Sequence, residues 1–414
     1  MSIEDPGLRV TIIGLNYSPE HTGIAVYTSG FANALAAHCD KPKVITGYPH
    51  YPQWSIHEGY VGKRMDEVIK GVPVHRISHP VPAQPKTVNR VIMEVVFGLK
   101  AAVTNWGKPE VTVLVTPALF SAAILAVAAK LRRTPTVVWV QDIYSLGITE
   151  TGAGGKQAAR IIKWLESMVL KSGVSVVVIH ERFKRYLVEE LGVDSEKIDV
   201  VRNWAHAEFP ENPDSEKRAK VRRERGWNSE DVVVLHAGNM GAKQGLDSVH
   251  DASVLAAQRQ STVKFVLLGD GNQRVRLEAL GENKNLEFLA PLPNGKFEET
   301  IASADILLVN ELPGMTEMSV PSKLTTYFSS GLPVIAATDA RSTTAEELQI
   351  SGAGVRVEPA NPESLLMATE SMSKNNGLAA KLGQAGRRFA EERLSPAAAT
   401  ASLRQVLVKV IAKQ

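Results

Sequence analysis

One cysteine, Cys39, stands among 414 residues. A lone thiol closes no intrachain disulfide, so no disulfide framework is expected and the cysteine usage fits a reducing compartment. Excess charge is scarce too: 47 Lys and Arg against 44 Asp and Glu leave a formal net charge of +3. That balance argues against nucleic acid as a partner, and no aromatic-basic recognition motif contradicts it. Aromatic residues make up 6% of the chain, but 44% hydrophobic and 22% charged residues are the proportions of a folded globular protein. No unbroken apolar helix of membrane-spanning length is expected. The uncharged run Val111–Ala129 is long enough, but Pro117 divides it into β-branched VTVLV and helix-forming LFSAAILAVAA. Two motifs are missing as well. GLNYSPEHTG follows the first strand where a dinucleotide fold carries G-x-G-x-x-G, which weighs against an oxidoreductase. No Asp-x-Asp pair and no His/Cys/Asp cluster offers itself to a metal, so none is expected. The opening MSIEDPGLRV is acidic and soon becomes a strand, unlike a secretory leader.

What the chain does have is alternation. In the first half, strands are expected at Arg9–Leu15, Lys43–Thr46, Val72–Ile77, Val111–Val115, Thr136–Val140, Val174–Ile179 and Lys197–Val201. Helical patterns fall between them at Ile24–His38, Val88–Asn105, Lys156–Leu170 and Glu181–Glu190. The polar HAEFPENPDSEKR reads as a linker. The pattern then restarts, with strands at Val232–His236, Lys264–Leu268, Leu286–Leu289, Ile306–Val309, Pro333–Ala336 and Val355–Val357. Such alternation implies mainly parallel sheets with helices on both faces, and 414 residues exceed one common-sized core. The expected class is α/β, with two doubly wound Rossmann-like domains facing a central cleft. The domains are residues 1–205 and 206–395, and a C-terminal helix, 396–414, packs back towards the first.

Ligands of open α/β sheets bind outside the carboxyl ends of the strands, and three loops there in the second domain could carry chemistry. VVVLHAGNMGAKQGL passes from a buried strand to a helix through Gly238, Gly241 and Gly245, which let the backbone turn tightly and approach a ligand. A helix start attracts anions, and Lys243 adds a full positive charge. LLGDGNQR sets Gly269, Asp270 and Gly271 after the next strand, with Arg274 beyond; VPSKLTTYFSSGLPVI opens a helix with Ser322 and Lys323. Together these loops suit a nucleotide diphosphate; any one alone could be an ordinary connection. In the first domain, Asp142 follows the strand VVWVQ, either capping a turn or lining the cleft edge. Glu20 and His21 read as solvated loop residues, His180 and His236 as structural histidines. Tyr48, Tyr51 and Trp54 either pack a long loop or stack on an acceptor sugar, the preferred reading. Arg132, Arg133, Lys156, Arg160 and Lys163 form a basic surface, solvated or facing anionic lipid.

The segments NYSPEHTGIAVYT, VVWVQDIY, VVRNW, HAGNMGAKQGL, LLGDGNQR and SKLTTYFSSGLPVIA follow one another over nearly the whole chain. In this it resembles the family-four retaining glycosyltransferases of two-Rossmann GT-B architecture. NYSPE-x-TG, PHYPQW and GNMG-x-KQGL are similar to the WcaI-like enzymes of colanic-acid and exopolysaccharide synthesis. The resemblance implies that Gly23 lies beside the donor's phosphate and transferred sugar, and that Asp142 stands where many relatives carry a histidine. It implies that Lys243 binds the diphosphate and stabilises the leaving group, with Gly269 and Asp270 lining the donor pocket. Leu289 to Leu292 would run past the nucleobase, and Ser322 and Lys323 would hold phosphate oxygens. Two positions depart from the family pattern. Asn239 replaces the arginine that often accompanies the lysine, leaving Lys243 the loop's only cation. The two sugar-binding glutamates fall on Met318 and Thr326, with Glu317 one residue off as a substitute.

The implied activity is retaining, metal-independent transfer of a hexosyl or deoxyhexosyl group from a UDP- or GDP-type sugar. That donor is a substrate, and no cofactor is expected. The implied acceptor is a glycan or polyprenyl-linked glycan in cell-surface polysaccharide synthesis. Location would be cytoplasmic, with peripheral contact at the inner face of the plasma membrane. A sugar-nucleotide epimerase of the same fold is the enzymatic alternative. A non-catalytic binding subunit is the other, favoured by Asn239 and Thr326.

Overall fold

The computed structural model describes residues 7–21, 23–83, 87–146, 155–205, 209–210, 214–281, 283–293, 295–314 and 322–413. The chain divides into two compact units, Met1–Asn203 with Pro396–Gln414, and Trp204–Ser395. In the first, the described elements run β1 (Arg9–Ile13), α1 (Ile24–Ala37), β2 (Lys41–Gly47), β3 (Arg64–Ile69), β4 (Val72–Ile77), α2 (Thr87–Val103) and β5 (Val111–Thr116). They continue with α3 (Leu119–Leu131), β6 (Thr136–Val140), α4 (Gly155–Ser172), β7 (Ser175–Val178), α5 (Glu181–Glu189) and β8 (Ile198–Val200). The sheet order is β3-β4-β2-β1-β5-β6-β7-β8. β5 and β6 are buried along their whole length, because helices cover both faces and no polar alternation is needed. Pro117 separates β5 from α3, so the uncharged run is a strand and a helix.

One strand is not foreseen. β3, RMDEVI, pairs antiparallel with β4 at the sheet edge and is mostly exposed. Its charges suit an open edge and erase the apolar run by which a strand is recognised.

The second unit holds α6 (Ser215–Glu224), β9 (Val232–Ala237), α7 (Asp247–Gln258), β10 (Val263–Leu268), α8 (Arg274–Glu278), β11 (Leu286–Leu289), α9 (Lys296–Ala302) and β12 (Ile306–Asn310). After it come α10 (Ser322–Ser330), β13 (Val334–Ala337), α11 (Thr343–Ser351), β14 (Gly354–Val357), α12 (Pro362–Ser373) and α13 (Asn376–Phe389). Part of the expected linker is helix: Asp214 caps α6, its carboxylate accepting from Glu216 N–H at 2.9 Å and Lys217 N–H at 3.0 Å. The six strands are parallel in the order β11-β10-β9-β12-β13-β14. The chain then returns to the first unit as α14 (Pro396–Ile411), which packs on α1. Arg404 there donates to both carboxylate oxygens of Asp40, at 2.8 and 3.1 Å.

Candidate active site

In the second sheet the connections leave β9 on one side and β12 on the other. The loops after these neighbouring strands diverge, which opens a crevice at the carboxyl edge. Gly238 ends β9 at φ 132°, and its N–H donates to Leu268 O at 2.8 Å. Gly269 ends β10 at φ 143°, and a Cβ on it would stand 1.9 Å from Gly238 O, so only glycine lets the two turns touch. Met240 N–H donates to Asp270 O at 2.7 Å, and Gln273 N–H to Met240 O at 3.0 Å. Arg274 Nη1 completes the clasp, donating to Gly269 O at 2.6 Å and to Leu289 O, at the end of β11, at 3.1 Å.

β12 grips the first loop from the other side. Buried Asn310 donates Nδ2–H to Gln244 O at 2.7 Å and Gly245 O at 3.0 Å. Leu312 N–H donates to Lys243 O at 3.0 Å. A 3-10 turn, Ala242–Gln244, precedes α7, and Gln244 Oε1 accepts Gly241 N–H at 3.0 Å. That donor, which the sequence leaves open for a ligand, is engaged within the loop. Lys243 and Asn239 are exposed on the turn. Asp270 is exposed beside them, its Oδ1 accepting Gly271 N–H at 2.8 Å.

Lys323 reaches this loop from α10. A Cβ on Gly238 would lie 3.8 Å from its Cε and 3.9 Å from its Nζ. The turn is therefore approached by a second cation, although Lys243 is the only one within the loop sequence. Burial lowers the Lys323 pKa to about 8, while the charge of Glu311 opposes that fall. Nζ lies 3.4 Å from His236 Nε2, and burial together with Lys323 holds His236 well below its ordinary value, hence neutral. Tyr327 pins α10 to the end of β9, its buried hydroxyl accepting Ala237 N–H at 2.8 Å. Thr326 is half-buried one turn after Lys323, on the same side of the helix. Leu289 and Leu292 are half-buried against the core. Ser322 opens α10, but its side chain lies outside the described residues, as do Glu317 and Met318.

In the first unit the same reversal occurs between β1 and β5. Gly23 caps α1 at φ 61°, and a Cβ on it would meet Tyr51 Cε1 at 3.6 Å. Asp142 is exposed after β6, its Oδ1 accepting Ile143 N–H at 2.9 Å. Desolvation raises its pKa, and the Ile143 N–H and then Arg90 oppose the rise. Glu20 corrects its reading as a solvated residue. It is 3% exposed, and Oε1 accepts the N–H groups of His50 at 2.8 Å and Tyr51 at 2.9 Å, tying NYSPEHTG to PHYPQW. Tyr48 is buried and donates to Val61 O at 2.8 Å, so it packs the loop and is not free to stack on a sugar. Tyr51 is exposed, and half-buried Trp54 has the Arg90 guanidinium 5.9 Å from its ring centroid. His180 is structural, capping α5 by accepting Arg182 N–H at 3.1 Å.

Residues 22–204 match the family model of the glycosyl transferase 4-like domain, and residues 217–389 that of the glycosyl transferases group 1. The chain belongs to the glycosyltransferases. It is 29% identical over 374 residues to the putative colanic acid biosynthesis glycosyl transferase WcaI of Escherichia coli K12, covering 87% of this chain and 90% of that one. Its fold is GT-B. Similar solved structures are Anabaena Alr3699/HepE in complex with UDP (TM-score 0.67, 15% identity, 97% and 100% coverage) and WaaG, a glycosyltransferase involved in lipopolysaccharide biosynthesis (TM-score 0.62, 16% identity, 96% and 99% coverage).

Within the glycosyltransferase, Asn310 and Arg274 brace the loops after β9 and β10, and Glu311 the turn after β13; of the three the sequence pointed only to Arg274, beyond the second loop. Glu311 follows β12 and accepts from the hydroxyls of Thr338 and Thr344, the latter at 2.6 Å. An asparagine and a glutamate ending the apolar strand ILLVNE were the available signal. A cavity of about 400 Å³ in the second unit lies between α6 and α9, lined by Phe209, Asp214, Lys217 and Glu298 among others, and by no residue of the glycine loops.

Proposed function

We propose that this glycosyltransferase takes a UDP- or GDP-type sugar, releases the diphosphate at the carboxyl edge of its second unit, and passes the sugar on with retention and without a metal ion. The observation that carries this reading is Lys323 beside the Gly238 turn that also bears Lys243. As the sugar–phosphate bond breaks, negative charge grows on the diphosphate, and preorganised cations and dipoles stabilise it most at that moment. The acceptor hydroxyl attacks C1 from the face the diphosphate leaves. The new C1–O bond replaces the old one on that face, the departing phosphate takes the hydroxyl proton, and no protein nucleophile intervenes.

In this reading Lys243, Lys323 and Ser322 hold phosphate oxygens, with Asn239, Gly241, Gly269 and Asp270 around the donor. Leu289 and Leu292 flank the base, and Glu317 and Thr326 lie towards the transferred sugar. Gly23 and Asp142 serve the sugar from the first unit, which binds the acceptor. The name of the Escherichia coli relative supports a glycan or polyprenyl-linked acceptor in cell-surface polysaccharide synthesis. The UDP in the Anabaena structure supports a nucleotide diphosphate donor.

A thermal-shift panel of UDP- and GDP-sugars identifies the donor, and transfer or donor hydrolysis then persists in EDTA. Lys243→Ala, with folding intact, lowers turnover at least about 100-fold. Unchanged turnover in that variant removes Lys243 from the mechanism, and epimerisation of labelled donor without any acceptor rejects transfer.

A further inference from the structure

The strand β9, VVVLHA, is apolar except for His236. His236 is 0% exposed. Leu235 and Ala237 beside it pack into the core on one face of the sheet, and Val234, on the same face as His236, packs into the core on the other. A polar ring at that depth carries a desolvation cost that an apolar side chain would not. Its Nδ1 makes no hydrogen bond of ordinary geometry among the described residues, although the backbone groups of Asn239 and Leu308 lie near enough to favour a proton on the ring. The one side chain at hydrogen-bond distance is Lys323, whose Nζ stands 3.4 Å from Nε2.

This contact fixes the tautomer. An ammonium only donates, so Nε2 accepts and the single ring proton sits on Nδ1. A second proton would set two cations 3.4 Å apart out of water, and burial together with the Lys323 charge keeps the ring neutral. A neutral acceptor suits the place better than a carboxylate would. It engages one of the three ammonium N–H groups and restrains a long, flexible stem, yet leaves the positive charge whole. Burial lowers the Lys323 pKa and Glu311, after β12, opposes the fall, but the Glu311 carboxylate is engaged by the hydroxyls of Thr338 and Thr344. Tyr327, one turn further along α10, stays neutral because burial raises its pKa.

We infer that His236 is a positioning residue: its Nε2 holds the Lys323 ammonium at the Gly238 turn and so sets how tightly the second unit grips a nucleotide diphosphate. This role rests on the proposed contact of Lys323 with the diphosphate, and adds to it a buried strand residue that acts only through the lysine. Titration calorimetry of UDP and GDP into wild type, His236→Leu, His236→Gln and His236→Asn, with chemical denaturation of each, tests it. Leu puts apolar atoms in place of the ring and accepts nothing, whereas Gln carries an acceptor at similar reach. His236→Leu is expected to keep or gain stability while binding nucleotide about tenfold more weakly at pH 7. Its affinity should also begin to fall at lower pH than in wild type, because the ammonium has lost a group that favours its charged form. His236→Gln is expected to recover most of the affinity. His236→Asn, as polar but one methylene shorter, is expected to bind as weakly as the Leu variant, and it carries the test if Leu disturbs β9. A histidine that serves only the fold gives the reverse, lost stability with unchanged affinity and pH profile, and that result overturns the inference. If Lys323→Ala still binds weakly in that case, the proposed diphosphate site stands without His236. If Lys323→Ala binds as wild type does, or wild type binds neither nucleotide, both fall.

Discussion

Burial sets the charge of Lys323. Its pKa near 8 lies below the ordinary lysine value of 10.5, so desolvation disfavours the charged form that a diphosphate attracts. At pH 7 most of the population is still protonated, and at pH 9 little is. Affinity for UDP or GDP, whichever is preferred, should therefore fall about tenfold between pH 7 and 9 by titration calorimetry, and this fall should vanish in Lys323→Ala. Glu94 shows the opposite shift in the first unit. Burial raises it to about 7 from 4.5, against the pull of Phe120 N–H and Arg90. Its folded-state pKa exceeds its unfolded one, so its contribution is fully present below about 4.5 and is lost as pH rises through about 7. Gln keeps the acceptor for Phe120 N–H without the buried charge. Chemical denaturation of Glu94→Gln should show a gain over wild type at pH 8, on the order of 3 kcal/mol, and little difference at pH 4.5.

The carboxyl edge of the second sheet is an assembly of strand ends. Gly269→Ala would drive a Cβ against the Gly238 carbonyl, a backbone atom unable to rotate away, in a region of φ that alanine avoids. A stability loss above about 2 kcal/mol is expected by denaturant titration, with weakened nucleotide binding. Asn310→Ala leaves the Gln244 and Gly245 carbonyls without their donor and should cost about 1–3 kcal/mol. Much of this edge was legible in the sequence, because β9, β10 and β12 are largely apolar runs followed by a glycine or polar turn. The approach of Lys323 to Gly238 was not legible. It depends on how α10 sits over β9, which Tyr327 fixes through a hydrogen bond between elements distant in the chain. Glu20 was misread for a related reason: a loop position predicts exposure, and only the folded PHYPQW segment brings it buried partners. β3 escaped because an edge strand needs no apolar face.

Over the whole molecule, two mainly parallel sheets each reverse strand order beside their first strand, and each gathers its candidate residues at its carboxyl edge. The first unit, with α14 folded onto it, carries Gly23 and Asp142. The second carries the glycine loops and both lysines. The central claim is that the second unit's edge grips a nucleotide diphosphate through Lys243 and Lys323. Titration calorimetry of UDP and GDP into wild type and into Lys243→Ala/Lys323→Ala tests it most directly. The account predicts saturable binding of one nucleotide by wild type and at least about 100-fold weaker binding by the folded double variant, two charge-assisted contacts being lost. Equal affinity in the two proteins would contradict it.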